Sequence, residues 1–117
     1  DVMKAYAPQA VFSRSVFDTM KGTVAHMKAP HSSVKESYKV AQPAWVIFPK
    51  YVPNSAPLLT PLSRAQAFMQ VADNAFNYSL LGIHGFEALA GVMNTSFCYS
   101  FSYSQLDDAI HVFEGLA

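Results

Sequence analysis

Apolar residues recur three and four positions apart in the second half of the chain, a spacing that predicts amphipathic helices. One such helix begins at Ser63, which forms a capping-box pattern with Gln66. Its predicted buried stripe consists of Ala65, Phe68, Met69, Ala72 and Phe76. Further helices are predicted after Gly82, after a predicted cap at Ser104, and in a short segment before Pro8.

Strand patterns fill much of the remaining sequence. The continuously apolar run at residues 44–48 predicts a strand covered on both faces in a parallel or mixed sheet and ended by Pro49 and Pro53. The segment "FCYSFSYS" alternates, so one side of a strand carries the aromatic residues Phe97, Tyr99, Phe101 and Tyr103. Short strands are predicted at residues 11–12, 16–17 and 23–27. Residues 28–42 are polar and lack periodicity, which predicts a long loop.

These elements predict an α+β fold with about four helices and four or five short strands, in a single domain over residues 1–117. Composition indicates that this domain belongs to something larger. The chain is 51% hydrophobic and only 14% charged, against roughly 25% charged in an average soluble domain. Such a chain is expected to cover apolar surface with a neighbouring segment or a second copy of itself. The start at Asp1 rather than Met favours truncation or processing.

Composition also bears on location. The longest unbroken apolar run is far shorter than the roughly 20 residues of a membrane span, so a membrane protein is not expected. Cys98 is the only cysteine, which excludes a disulfide framework and a cysteine-based zinc site. A reducing, cytoplasmic setting fits a single free thiol.

The zero net charge hides an uneven distribution. All eight Lys and Arg residues lie at or before Arg64, together with three of the eight acids, a net +5; no Lys or Arg follows. An anionic ligand is therefore expected to meet the first half, unless the two halves simply complement each other electrostatically. The aromatic strand resembles a stacking platform for single-stranded RNA, but it lacks nearby cations for the phosphates. Packing is favoured there, and nucleic-acid binding is not expected.

Most side chains with reactive groups have a simple structural explanation. No His pair has the H-E-x-x-H spacing of a zinc site, and His84 and His111 fit surface or partly buried positions. Cys98 has no evident activating base. Asp107 and Asp108 are neighbours, which point about 100° apart on a helix, so helix-dipole compensation explains them better than catalysis.

The stretch "DTMKGTVAH", residues 18–26, places Lys21 and Gly22 between two short apolar stretches. It is not a P-loop, which needs G-x-x-x-x-G-K-[ST] between a strand and a helix so that successive amides wrap the phosphates. Spacing alone favours a plain turn and leaves a phosphate-facing role open. His26 follows this pair within the basic half, so a small-molecule enzyme that uses His26 is a further hypothesis.

Four segments, in order, resemble the C-terminal part of the HPr kinase-related kinase A family, bacterial P-loop proteins similar to HPr serine kinase/phosphorylase and, more distantly, to phosphoenolpyruvate carboxykinase. The segments are "APQAVFSRSVFDTMKGTVAHMKAP", "PAWVIFPKYV", "PLLTPLSRAQAFMQVADNAFNYSLLGIHGFEALAGVM" and "CYSFSYSQLDDAI". The first contains a D-T-x-x-G-T-x-A-H pattern at Asp18, Thr19, Gly22, Thr23, Ala25 and His26.

The resemblance implies a fragment of an α/β P-loop kinase-like fold, whose parent binds ATP with Mg²⁺ and phosphorylates a Ser, a Thr or a small phosphocarrier-like protein. It also implies that the Walker A loop and the metal-binding carboxylate lie upstream of Asp1, so this chain alone is not expected to transfer phosphoryl groups. Within the matching segment, Lys21 and Gly22 are expected to face the nucleotide or acceptor phosphate. Thr19 and Thr23 are expected to order that loop, and His26 to hydrogen-bond within it.

A second hypothesis belongs to a different class of function. The low charge and the aromatic stripe at residues 97–103 also fit a non-catalytic interaction domain that dimerises through its apolar face. Both hypotheses expect apolar surface to be covered, either by the upstream half of the same chain or by a second copy in a homo-oligomer.

Overall fold

The computed structural model describes residues 2–116 and confirms the α+β class. The chain divides into two compact units, Asp1–Ala41 and Gln42–Ala117, each described here by itself. The first contains α1 (Val2–Tyr6), β1 (Val16–Thr19), β2 (Gly22–Val24) and α2 (His31–Lys35). The second contains β3 (Trp45–Tyr51), β4 (Leu58–Pro61), α3 (Arg64–Asn74), α4 (Tyr78–Leu81), α5 (Ile83–Thr95), β5 (Phe97–Tyr103) and α6 (Leu106–Glu114).

A mixed three-stranded sheet organises the second unit. Its order is β3-β5-β4, with β5 parallel to β3 and antiparallel to β4. The parallel register pairs Trp45 with Phe97 at one end and Tyr51 with Tyr103 at the other. The mixed sheet predicted for the apolar run is therefore confirmed, with the alternating aromatic strand β5 at its centre. The predicted cover on both faces is not found, because the run lies on an edge strand and none of residues 44–48 is buried.

Both outer edges of this sheet carry a proline. Backbone N–H groups point alternately to the two sides of a strand. Val52 N points towards β5, where it donates to Tyr103 O at 2.9 Å. Pro49 lies three residues earlier, so its backbone nitrogen points away from β5. Leu62 N donates to Cys98 O at 2.8 Å, and by the same alternation Pro61 faces the outer edge of β4. An edge strand tolerates proline where no donor is needed. The prediction that Pro49 ends its strand is thus wrong, because β3 is an edge strand.

The core of the second unit lies where α3 and α5 pack on one face of the sheet. Its buried members are Ala67, Leu89, Met93 and Cys98, with Val46 and Phe48 of β3 packed against them. On the opposite face, Phe101 is 1% exposed. Its ring stacks on Tyr103 with a centroid distance of 5.4 Å and lies 5.3 Å from the ring of Phe113 on α6. Helices therefore cover parts of both faces.

Helix α3 begins at the predicted capping box, and its predicted buried stripe is confirmed in part: Phe68 and Ala72 pack against the core. Ser63 Oγ accepts from Gln66 N at 3.3 Å, and Ser63 N donates to Gln66 Oε1 at 3.1 Å. Ala67 is fully buried, whereas Met69 is 60% exposed and Phe76 is entirely exposed. The small side chain of Ala67 lets the helix approach the sheet closely. Phe76 lies beyond the helix end at Asn74, so it no longer follows the helical period.

Replacing Ser63 with Ala is expected to lower the free energy of unfolding of the second unit by about 1 kcal/mol, because it leaves the Gln66 N–H without its cap. Urea denaturation of the chain, followed by circular dichroism, measures this loss. Ser79→Ala is the matched control, since Ser79 is exposed and forms no side-chain hydrogen bond within residues 2–116; its effect should stay within about 0.5 kcal/mol. Equal losses for the two variants would contradict the capping role.

The first unit is an antiparallel hairpin with short flanking helices and no buried side chain in residues 3–41. Val11 is 62% exposed and Phe17 is 67% exposed. The predicted loop at residues 28–42 contains the five-residue helix α2, and Pro30 is the N-cap of this helix. One helical turn is too short to produce a visible apolar period, which explains why the pattern predicts a loop. This unit has no interior of its own.

Candidate functional site

The five residues singled out by the resemblance lie on or beside one hairpin of the first unit. Thr19 ends β1, Lys21 stands in the connection, and Gly22 and Thr23 begin β2. His26 follows two residues after β2, in the arm that leads away from the turn. The structure therefore brings these residues together along one short element.

Thr19 and Gly22 shape the turn itself. Thr19 Oγ1 donates to Gly22 O at 2.6 Å and accepts from Lys21 N at 3.1 Å. Gly22 has φ +78°, in the left-handed region that a side chain rarely adopts and that short hairpin connections require. These bonds order the backbone around Lys21 and leave its side chain exposed.

A bulge distorts the strand before the turn. Val16 pairs with Val24 and Thr19 with Gly22, so two residues of β1, Phe17 and Asp18, oppose the single residue Thr23 of β2. Asp18 has φ +55°, a left-handed conformation that Asp tolerates better than most residues. The bulge increases the twist of the hairpin close to its tip. The Thr23 side chain forms no hydrogen bond within residues 2–116.

Ser13 clamps the base of the hairpin to His26. Ser13 N donates to His26 O at 2.8 Å, and His26 N donates to Ser13 Oγ at 2.9 Å. Lys28 N donates to Val11 O at 2.8 Å beyond an isolated bridge between Phe12 and Met27. His26 is thus fixed through its backbone, while its imidazole is exposed. Sequence reasoning missed Ser13, since no local motif links it to a residue thirteen positions away.

The tip of the hairpin presents a cation and an apolar side chain together. Met20 is fully exposed beside Lys21, and Lys21 forms no ion pair within the described residues. The chemistry of the tip suits contact with an anionic group carried by another molecule or another segment, with Lys21 as the donor.

The other candidate side chains lie apart from this hairpin in the sequence, in the second unit. The thiol of Cys98 is buried, with its Sγ 3.9 Å from Met93 Sδ. His111 Nδ1 lies 2.8 Å from Asp107 O on the exposed side of α6. The structure corrects the predicted cap of α6: Gln105 is the N-cap, and Ser104 Oγ instead donates to Ser55 O at 2.8 Å. No three His, Cys, Asp or Glu side chains converge as metal ligands within residues 2–116.

Comparisons of this chain with protein-family models, with curated proteins and with solved structures find no match. The resemblance to HPr kinase-related kinases therefore stays a prediction from four ordered segments. Across the part of the chain that the structure describes, no helix is long and apolar enough to cross a lipid bilayer.

Proposed function

We propose that this chain is the C-terminal segment of an ATP-dependent kinase similar to the HPr kinase-related family. In this proposal the segment is inactive alone, works in the cytoplasm and helps to receive a small phosphocarrier-like protein acceptor. The observation that carries the proposal is a first unit that buries no side chain in residues 3–41 and nevertheless holds Lys21 on an ordered turn. A unit of this kind fits a structure completed by further polypeptide.

The exposed apolar side chains of the first unit support this proposal. Phe17 is 67% exposed and Met20 is fully exposed, both close to the hairpin tip. Burial of apolar surface is worth roughly 25 cal/mol per Å², so covering these side chains with an upstream half would stabilise both parts. A polypeptide that lies over the hairpin would also bring its own phosphate-binding groups towards Lys21.

The described residues do not themselves fit ATP with Mg²⁺. No glycine-rich phosphate loop occurs in the sequence, and no group of three or more His, Cys, Asp or Glu side chains within residues 2–116 could hold a metal ion. We therefore assign both groups to the upstream half. The contribution of this chain is positional: Thr19 and Gly22 hold the turn, and Lys21 supplies one positive charge for a nucleotide or acceptor phosphate.

Replacing Lys21 with Ala in the full-length protein is expected to lower kcat/KM for phosphoryl transfer by about tenfold or more, since hydrogen bonds to charged groups contribute about 1.5–3 kcal/mol. Steady-state kinetics with ATP and the acceptor protein measure this effect. Lys35→Ala is the matched control, because Lys35 is an exposed lysine of the same unit on α2 rather than on the hairpin.

Two results would overturn the kinase proposal. One is unchanged transfer by the Lys21→Ala protein, which would make the hairpin purely structural. The other is a full-length gene that encodes no G-x-x-x-x-G-K-[ST] loop upstream of this segment.

A dimerising interaction domain is the second candidate, favoured by one aromatic pair. Trp45 and Phe97 lie in register on neighbouring strands and are 42% and 69% exposed. Trp45 is the only tryptophan, so its fluorescence reports on this patch directly. A dimer in sedimentation velocity, with Trp45 emission shifting to shorter wavelength as concentration rises, would support this function. A monomer with constant emission would contradict it.

A further inference from the structure

A cleft of about 410 Å³, with mostly apolar walls and a few polar groups, lies near the carboxyl-terminal ends of the parallel strands β3 and β5. It occupies the same sheet face as the core of the second unit, beyond the part that α3 and α5 cover. Among the side chains that line it are Phe48 and Lys50 of β3, Thr60 of β4, Gln70 of α3, and Ser100 and Ser102 of β5. It lies in the Gln42–Ala117 unit, whereas the hairpin belongs to the other unit.

The strand register places these polar groups side by side. Lys50 pairs with Ser102 across the parallel ladder, and Thr60 pairs with Ser100 across the antiparallel ladder. Paired residues point to the same face, and neighbouring strands lie about 4.8 Å apart. The ammonium of Lys50 and the hydroxyls of the central strand are therefore within reach of one small ligand.

The charge and bonding of the cleft favour an anion. Lys50 and Arg64 are the only basic residues of the second unit, and no acidic residue lines the cleft. Within residues 2–116, Lys50 forms no ion pair, and Ser100 and Ser102 form no side-chain hydrogen bond. The cleft thus gathers unpaired donors, of which Ser100 and Ser102 are half-buried and Lys50 is exposed. A hydrogen bond from the charged Lys50 ammonium to an anion is stronger than one between neutral groups.

The position within the fold agrees with this chemistry. In open sheets that contain parallel strands, ligands bind beyond the carboxyl ends of those strands, where adjacent chain connections leave a crevice. The cleft borders that position, because it lies on the sheet face near the carboxyl ends of the only parallel pair in the described part of the chain. Phe48 adds an apolar wall that suits the non-polar body of a small molecule.

We propose that this cleft binds a small molecule through its phosphate or carboxylate group. Lys50 supplies the positive charge, and the hydroxyls of Ser100 and Ser102 donate hydrogen bonds to the anionic oxygens. Thr60 and Gln70 border the same space. This site does not depend on the proposed kinase function, since it uses none of the hairpin residues.

The test is a titration of the full ¹⁵N-labelled chain, at constant ionic strength, with inorganic phosphate and separately with succinate. Saturable shifts of the Ser100 and Ser102 amide signals are expected with at least one of the two probes. Shifts with phosphate alone assign a phosphorylated ligand, shifts with succinate alone assign a carboxylate, and shifts with both assign an anion site that accepts either.

Matched variants identify the groups that bind. Lys50→Met is expected to weaken binding about tenfold or more, whereas Arg64→Met, which removes the same charge elsewhere in the unit, should leave it unchanged. The double variant Ser100→Ala/Ser102→Ala should also weaken binding, with unchanged amide signals of the core residues Ala67 and Met93 as the check on folding. The proposal is overturned by an absence of saturable shifts, by equal losses in the two charge variants, or by wild-type affinity in the double variant.

Discussion

Replacing Phe101 with Ala is expected to lower the free energy of unfolding of the Gln42–Ala117 unit by about 3–5 kcal/mol. Phe101 is 1% exposed on the central strand and contacts the rings of Tyr103 and Phe113. The substitution opens a cavity between β5 and α6 that neither neighbouring ring fills without leaving its own position. Small domains have a total stability of about 5–15 kcal/mol, so this single loss is a large fraction of it.

Urea denaturation followed by circular dichroism measures this change in the whole chain. Phe97→Ala is the matched control, because Phe97 lies on the same strand and the same face but is 69% exposed. Its loss should stay below about 1 kcal/mol. If both variants lose the same stability, Phe101 is not the centre of packing on this face.

The second large effect is expected from Ala67→Asp. Ala67 is fully buried in a cluster with Leu89, Met93 and Cys98, which offers a carboxylate no charged partner. Burial of an unpaired charge, or protonation to avoid it, is expected to cost about 3 kcal/mol or more. The variant should therefore lose cooperative unfolding or show a strongly lowered urea midpoint.

Ala65→Asp supplies the comparison on the same helix. Ala65 is exposed in the first turn of α3, where a negative charge interacts favourably with the helix dipole. This variant should keep the wild-type midpoint or raise it slightly. Equal disruption by both aspartates would contradict the assignment of Ala67 as the packed position, because an acidic residue at the exposed position 65 would then be as harmful as one at position 67.

Local signals in the sequence predict some elements well. The capping box of Ser63 and Gln66 involves residues three positions apart, so its bonds form wherever the helix forms. The alternation of β5 likewise follows from a single strand and correctly separates Cys98 from Phe101, which are buried on opposite faces. Both features depend on short stretches of chain, which explains why they could be predicted.

Features that depend on distant partners could not be predicted in the same way. The position of β5 decides which face of α3 is buried. Met69 has a spacing that fits a helical stripe, but it lies off the face that packs on β5 and is 60% exposed. The Lys-Gly pair in the sequence predicts a turn at the hairpin tip. No local pattern predicts the hydrogen bonds between Ser13 and His26 at its base. The cleft joins Lys50 to Ser100 and Ser102, and no local pattern gives the parallel register that brings them together.

The prolines at the two edges of the sheet limit how this chain associates with others. A strand from a neighbouring molecule needs a continuous row of donors, and Pro49 and Pro61 interrupt that row on the outer sides of β3 and β4. Pairing of these edges with a strand from another copy is therefore disfavoured. Association through the faces of the sheet is favoured instead, because side-chain shape there discriminates between partners in a way that backbone pairing does not.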